Sequence, residues 1–253
     1  MEDVVKEAAE VITNSNKTVV FTGAGASTES GVPDFRSPGG IWDQFDPDSM
    51  TYQNFLSSSE LRKDYWQFYR QCWDTFRGVE PNPTHRCIAK LQTDGYVDIV
   101  ITQNVDGLHA EAGSPREQIL RIHGTMWRVR CLDCRDEYDY SVAYEQLQGE
   151  YSEPHCPSCD GLLKPATVAF GQPLPQEVFQ KAEHHTIQSD LFISIGSSLT
   201  VYPAAVLPKK AKYSGAKVLL INKTPTALDE LADLIITGLA GELLSDIVKV
   251  IYK

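Results

Sequence analysis

Apolar residues recur at helical spacing at the start of the chain, with Val4, Val5, Ala8, Val11 and Ile12 falling on one face of residues 2–14. The pattern then changes to a short β-branched run at 18–21 that enters Gly23-Ala24-Gly25 directly. Further apolar runs at 97–101, 119–122, 191–195, 218–221 and 234–236 predict strands, and 84–91 and 240–251 predict helices. This alternation of strand and helix predicts an α/β fold built on a parallel sheet. Residues 31–49, rich in Gly, Pro, Asp and Ser, predict a long ordered loop, a feature that is usually functional inside a compact domain. Residues 52–77 carry Tyr52, Phe55, Tyr65, Trp66, Phe68, Tyr69, Trp73 and Phe76 on a helical background. They predict a packed helical subdomain, part of which can wall a pocket. Residues 125–165 change character and read as an inserted module.

Five of the predicted strands end in small or polar residues: Gly23, Gln103, His123, Gly196 and Asn222. Ligands of open parallel sheets bind beyond the carboxyl ends of the strands, so these positions are expected to converge on one site.

Composition narrows the class. A chain of 253 residues, 42% hydrophobic and 23% charged, can bury a sizeable core without covalent staples. With Lys+Arg 23 against Asp+Glu 34, the formal net charge is -11. That balance disfavours direct binding to nucleic acid and docking on anionic membranes, and suits a basic peptide partner. The most apolar stretch, 191–207, is interrupted by Gly196 and Pro203, and Met1-Glu2-Asp3 lacks the basic start and apolar run of a signal peptide. A cytoplasmic location is expected.

Of six cysteines, Cys131, Cys134, Cys156 and Cys159 form two Cys-x-x-Cys pairs, whereas Cys72 and Cys87 stand alone inside predicted helices and read as ordinary buried thiols. Four thiolates complete a closed tetrahedral shell, which marks a structural zinc site; an iron–sulfur cluster is the rival.

The remaining motifs each carry two readings. Thr22-Gly23-Ala24-Gly25-Ala26-Ser27 is either an anion cradle, in which glycines let backbone N–H groups approach a phosphate, or a tight turn. Thr28 stands where a dinucleotide fingerprint has its third glycine, and Asp43 falls in the loop, so the ordinary hydride-transfer pattern is broken. Arg36 suits a pyrophosphate or solvent. Residues 102–109 (Thr-Gln-Asn-Val-Asp-Gly-Leu-His) suit ribose hydroxyls and a carboxamide, or turn and cap chemistry. His109 reads as structural. His123, at a strand end beside a glycine, reads as a general base or as packing; His85, His155, His184 and His185 lack such company.

Taken together, these motifs resemble the sirtuins, the silent-information-regulator family of NAD-dependent protein deacylases. The resemblance runs from Thr22 to about Ala240. It rests on Gly-Ala-Gly-Ala-Ser-x-x-Ser-Gly-Val-Pro-Asp-Phe-Arg at 23–36, the 102–109 motif, His123-Gly124, the paired cysteines, Phe170-Gly171, Gly196-Ser197-Ser198-Leu199 and Ile221-Asn222. It implies a Rossmann-like parallel sheet with helices on both faces, formed by about residues 1–50, 78–124 and 166–253. A helical subdomain (about 51–77) and a small zinc module (about 125–165) complete it. It also implies that Gly23, Ala24, Gly25, Ala26, Ser27, Asp34, Phe35 and Arg36 hold the pyrophosphate and nicotinamide region. Gln103, Asn104, Val105 and Asp106 would position the nicotinamide and its ribose. Gly196, Ser197, Ser198, Asn222, Lys223 and Thr224 would contact the adenosine half, with Ala240 over the adenine. Val168, Phe170 and Gly171 would receive the substrate backbone as an added strand, and Tyr69 would line the acyl pocket.

The implied reaction consumes NAD. The acyl-lysine carbonyl oxygen attacks the nicotinamide ribose, nicotinamide leaves, and an O-alkylamidate forms. His123 then activates a ribose hydroxyl, with Asn104 and Asp106 as the other catalytic candidates. The products are lysine, nicotinamide and 2'-O-acyl-ADP-ribose. The chain departs from the commoner family residues at Val32, Gln172 and Ser197 without evident cost to function. Members that remove succinyl or malonyl groups carry Tyr-x-x-Arg on the helical subdomain; here Tyr69 is followed by Cys72 at the arginine position. Without that cation a buried carboxylate is unpaired, so a neutral acyl group is expected, acetyl first. The implied partner is an acetylated lysine-containing protein or peptide, and a monomer is expected. Mono-ADP-ribosyl transfer to protein and non-catalytic NAD binding are the alternatives.

Overall fold

The computed structural model describes residues 2–35, 40–43, 45–148 and 153–253. Helix α1 (Glu2–Thr13) buries Val5, Ala8, Ala9 and Ile12 and carries Glu2 and Asp3 in its first turn, where acids complement the helix dipole. Strand β1 (Thr18–Thr22) is buried along its whole length. The aromatic region is two helices, α2 (Tyr52–Ser57) and α3 (Ser59–Phe76). The chain breaks at Ser58, which is extended (φ -136°, ψ 124°) and accepts the Leu61 N–H on its hydroxyl, an N-cap within a run of three serines. Helix α4 (Pro83–Thr93) starts with proline at its first position, behind an Asn82 cap.

Strand β2 (Ile99–Thr102), the single-turn helix α5 (Leu108–Glu111) and strand β3 (Ile119–Arg121) follow. The segment that carries the cysteine pairs comprises β4 (Gly124–Cys131), β5 (Glu137–Asp139), α6 (Tyr140–Gln148) and β6 (Leu163–Thr167). The chain closes with α7 (Gln176–Gln188), β7 (Leu191–Ile195), α8 (Val206–Tyr213), β8 (Lys217–Asn222), β9 (Leu234–Thr237) and α9 (Ala240–Ile251). The hydrophobic pattern had not singled out α6, α7 or α8.

The main sheet runs β3-β2-β1-β7-β8-β9, and every neighbouring pair is parallel. Numbered by appearance within that sheet, the order is 3-2-1-4-5-6, the dinucleotide-binding order, whose switch point lies between β1 and β7. Its strands are continuous apolar runs because both faces are covered. Val20, Val100 and Ile193 pack towards Ile12 of α1, Ile88 of α4 and Leu244 of α9. Phe21, Ile101 and Phe192 pack on the other face towards Ala182 of α7 and Leu207 of α8. A second, antiparallel sheet, β5-β4-β6, shares a core with the aromatic helices through Val129, Leu163, Trp66 and Tyr140. Among the described residues no helix is long and apolar enough to cross a membrane.

Asn82 joins the two levels of this architecture. Its Oδ1 accepts the Thr84 N–H at 2.8 Å and its Nδ2 donates to the Ala26 carbonyl at 2.9 Å, so one buried side chain caps α4 and holds the turn after β1. Asn82→Ala leaves two buried backbone groups unpaired and is expected to cost about 2 kcal/mol, read as a lower urea midpoint with an unchanged slope.

Candidate active site

The turn after β1 is built on close approach. The Gly23 N–H donates to the Ile195 carbonyl at 3.0 Å and the Gly25 N–H to the Gly196 carbonyl at 2.9 Å. A Cβ on Gly25 would lie 2.8 Å from the Gly196 Cα, and one on Gly196 (φ +62°) 2.3 Å from the Ala26 nitrogen. The glycines therefore let the β1 and β7 turns touch. The Gly25, Ala26 and Ser27 N–H groups bond to the Gly196, Gly23 and Ala24 carbonyls within and between the two turns.

Beyond this contact opens a cavity of about 630 Å³. Gly23, Ala24, Gly25, Ser27, Asp34 and Phe35 line it, and Ala26 lies buried beneath. Gln103, Asn104, Val105, Asp106 and His123 form its floor. Gly196, Ser197, Ser198, Asn222, Lys223, Thr224 and Ala240 line one end, and Tyr69, Val168, Phe170 and Gly171 another part of the wall. Arg36 lies outside the described residues.

A bonded network fixes the floor. The Ser27 hydroxyl donates to Asp106 Oδ2 at 2.7 Å, and the Leu108 N–H donates to Asp106 Oδ1 at 2.9 Å. Burial pushes the Asp106 carboxyl up, and these two donors oppose that shift. Asn104 Nδ2 donates to Ser27 Oγ and to the Gly23 carbonyl, both at 3.0 Å. Gln103 Nε2 donates to Ser197 Oγ at 2.9 Å, bridging the β2 and β7 ends.

His85 joins this network, against the expectation that it lacked company. Its Nδ1 accepts the Asn82 N–H at 3.3 Å, which leaves the proton on Nε2 facing Ser27 Oγ at 3.4 Å. Burial pushes His85 down to about 4. Its ring packs edge-on against His109, whose Nε2 meets Thr22 Oγ1 at 2.9 Å. The sequence hid this because α4 reaches the site only through the fold; the one local signal was the N3 position of His85 after a capping asparagine.

His123 faces the cavity with a defined tautomer. Its Nδ1 lies 3.1 Å from the Gln103 carbonyl, which can only accept, so Nδ1 carries the proton and Nε2 carries the lone pair. Burial lowers its pKa, against the opposing pull of that hydrogen bond, so the imidazole is neutral at pH 7.

The wall near Tyr69 is apolar. Val32, Ile41, Met50, Phe68, Phe76 and Met126 line it with Cys72. Cys72 and Cys87 are both half-buried rather than fully buried; burial holds the Cys72 thiol protonated, at about 12. Tyr69 OH is 2.6 Å from Thr167 Oγ1.

Away from the cavity, the four remaining cysteines bring their sulfurs within 4.8 Å of one another. Cys131 and Cys159 are 3.5 Å apart, Cys134 and Cys156 3.7 Å. A regular tetrahedron with zinc–sulfur bonds of about 2.3 Å has edges of about 3.8 Å, so the donor set fits zinc. The residue after each pair, Arg135 (φ 71°) and Asp160 (φ 62°), is left-handed, so two matching turns aim thiols at one point.

The Sir2 family profile matches residues 23–203, and the chain belongs to the Sir2 family. It is 43% identical to "NAD-dependent protein deacylase 2" of Archaeoglobus fulgidus, over 100% of this chain and 98% of that protein. It is 39% identical to "NAD-dependent protein deacetylase" of Rhodopseudomonas palustris, over 96% of each. Among solved structures, a Sir2 enzyme 42% identical superposes with a TM-score of 0.88, covering 100% of this chain and 99% of that one. Another, a Sir2 complex with a p53 peptide and NAD+, is 32% identical with a TM-score of 0.88 over 97% of each chain.

Removing the metal with a chelator, or making Cys156→Ser, is expected to release the β4–β6 sheet before the main sheet. The checks are one zinc per chain by elemental analysis and proteolytic cleavage first appearing within 125–165. Zinc loss without either change in the module would contradict a structural site.

Proposed function

We propose that this chain removes acetyl groups from protein lysine side chains at the expense of NAD, giving nicotinamide, free lysine and O-acetyl-ADP-ribose. The observation that carries the proposal is the tautomer of His123. A neutral imidazole with its lone pair on Nε2 opens into a cavity that also holds the Gly23–Ser27 turn and the Val168–Gly171 segment. The curated relatives named NAD-dependent protein deacetylase or deacylase, and the Sir2 structure with "deacetylated p53 peptide" and 3'-O-acetyl ADP ribose, support the same reaction.

In this reading the adenosine half of NAD lies along Gly196–Ser198, Asn222–Thr224 and Ala240, and the nicotinamide ribose lies over Gln103–Asp106. Asn104 spends both amide protons on Gly23 and Ser27, and no described residue donates to its Oδ1, which suits a ribose hydroxyl. Asp106, with one oxygen on Ser27 and the other on Leu108, acts by holding Ser27 and Asn104 in place. The acyl-lysine carbonyl oxygen displaces nicotinamide from the ribose, and nicotinamide takes the glycosidic electron pair. His123 Nε2 accepts the proton of the ribose hydroxyl that attacks the resulting amidate carbon. The carbon–nitrogen bond of the bridged adduct then breaks, lysine leaves as the protonated amine, and a water molecule adds to the remaining cation, which opens to a free 1' hydroxyl and the 2' ester. An ester first formed at the 2' position can migrate across the neighbouring cis hydroxyl, which relates the two acetyl-ADP-ribose isomers.

The substrate backbone adds along Val168–Gly171, and the acyl chain enters the apolar wall beside Tyr69 and Cys72. Four zinc-bound thiolates suit the reducing cytoplasm, where we place the protein.

An acetyl-lysine peptide is expected to lose its acetyl group only with NAD, with stoichiometric nicotinamide, by mass spectrometry. ADP-ribose on protein with the peptide unchanged would instead mark a transferase. His123→Ala is expected to lower kcat by about 10²–10⁴-fold while NAD affinity changes little. Because the neutral imidazole is the active form and burial lowers its pKa, kcat/KM should rise through an ionisation below about 6.5 and flatten above it. Acetyl-lysine peptide should be preferred over succinyl-lysine peptide by at least about tenfold, since the wall near Cys72 offers no cation among the described residues. Equal rates on the two peptides would refute that selectivity.

A further inference from the structure

Lys164 is the buried cation that the chemistry above does not use. It lies on β6, with a relative exposure of 3%, and no described carboxylate pairs with it. Lysine is almost never buried without a partner, and burial here pushes its ammonium down to about 7. Its donors are instead spent on backbone: Nζ donates to the Thr167 carbonyl at 2.7 Å and to the Pro165 carbonyl at 3.2 Å. The faces of Tyr65 and Tyr52 lie 5.6 and 6.0 Å away, close enough to favour a cation.

The Thr167 carbonyl belongs to the same peptide group as the Val168 N–H, and that N–H donates to the His123 carbonyl at 2.9 Å. One peptide plane is thus gripped from both ends. A cation on its oxygen polarises the amide and strengthens the bond from its nitrogen. The Thr167 side chain is held in turn by Tyr69.

We propose that Lys164 is a positioning residue for deacetylation: by gripping the Thr167–Val168 peptide it sets both the backbone of His123 and the strand that receives the substrate. This rests on the function proposed above. Arginine also satisfies the requirement, because it brings several donors and a permanent charge; an apolar side chain of equal length brings neither.

The test compares wild type, Lys164→Met and Lys164→Arg. Lys164→Met is expected to lower kcat/KM for an acetyl-lysine peptide by at least about tenfold, through both lower kcat and higher KM, while the Kd for NAD stays within about twofold. Hydrogen exchange at the Val168 amide should become at least about tenfold faster. Lys164→Arg should restore both readouts to within about threefold. Lys164→Gln, which keeps donors without charge, serves if the Met variant does not fold, and should fall between Met and Arg. Unchanged exchange and unchanged kcat/KM in Lys164→Met would overturn the proposal. So would a loss of NAD affinity equal to the loss in kcat/KM, since that would be general loosening. If wild type itself fails to deacetylate the peptide, the functional reading falls, and the exchange rates alone still decide whether Lys164 holds this peptide plane.

Discussion

Backbone contact between the turns after β1 and β7 is the constraint on which the rest depends. In a parallel sheet of this order the helices leaving neighbouring strands diverge at the switch point and open a crevice there. The Gly25 N–H to Gly196 carbonyl bond closes the bottom of that crevice without filling it, since neither residue has a side chain. Three polar side chains of the site are tied to this seam. Gln103 crosses it to Ser197, Asn104 reaches the Gly23 carbonyl, and Ser27 sits where the turn ends. A Cβ at either glycine would push the two strand ends apart and misplace residues that never touch it.

Burying the Ser27–Asp106 pair is tolerable because its polar atoms are bonded in a fixed order. The Asn82 N–H fixes the His85 tautomer, His85 faces Ser27, and Ser27 donates to Asp106. A chain of donors with one direction leaves the carboxylate doubly satisfied, and burial keeps the His85 imidazole neutral. Half of such a network would cost more than an apolar core, because the remaining partners would be buried unpaired. The network is rigid for the same reason, and rigidity is what a floor beneath the proposed ribose site would require.

The central strands were legible because strands covered on both faces are continuous apolar runs, and their polar ends pointed to one site. Helices α7 and α8 were not singled out, although Phe179, Ala182 and Thr186 repeat at helical spacing. The break at Ser58 had a local signal in three consecutive serines. What sequence could not convey was proximity between distant segments. Asn82 meets Ala26 across 56 residues, and Glu29 accepts the Gly241 N–H across 212, tying the β1 turn to the start of α9. Lys164 misleads in the opposite way: a lysine beside a proline suggests solvent, and only the closing of β6 onto the aromatic helices buries it.

The zinc module supports this chemistry from a distance. Strand β4 starts at the residue after His123, and β6 runs into Val168, so the proposed base and the proposed substrate segment are the roots of two strands paired with each other. The cysteines sit at the far ends of those strands, where Cys131 closes β4 and pairs with Leu163. A metal there fixes the register of the pair without approaching the reacting atoms. Charge then gives the cleft a direction. An acidic chain of net charge -11 attracts a lysine-rich segment, but only a lysine neutralised by its acyl group can enter the apolar wall cheaply. If the acyl-lysine enters that wall as proposed, deacetylation would return the positive charge to the lysine there, and the desolvation cost that excludes free lysine on the way in would favour its departure on the way out.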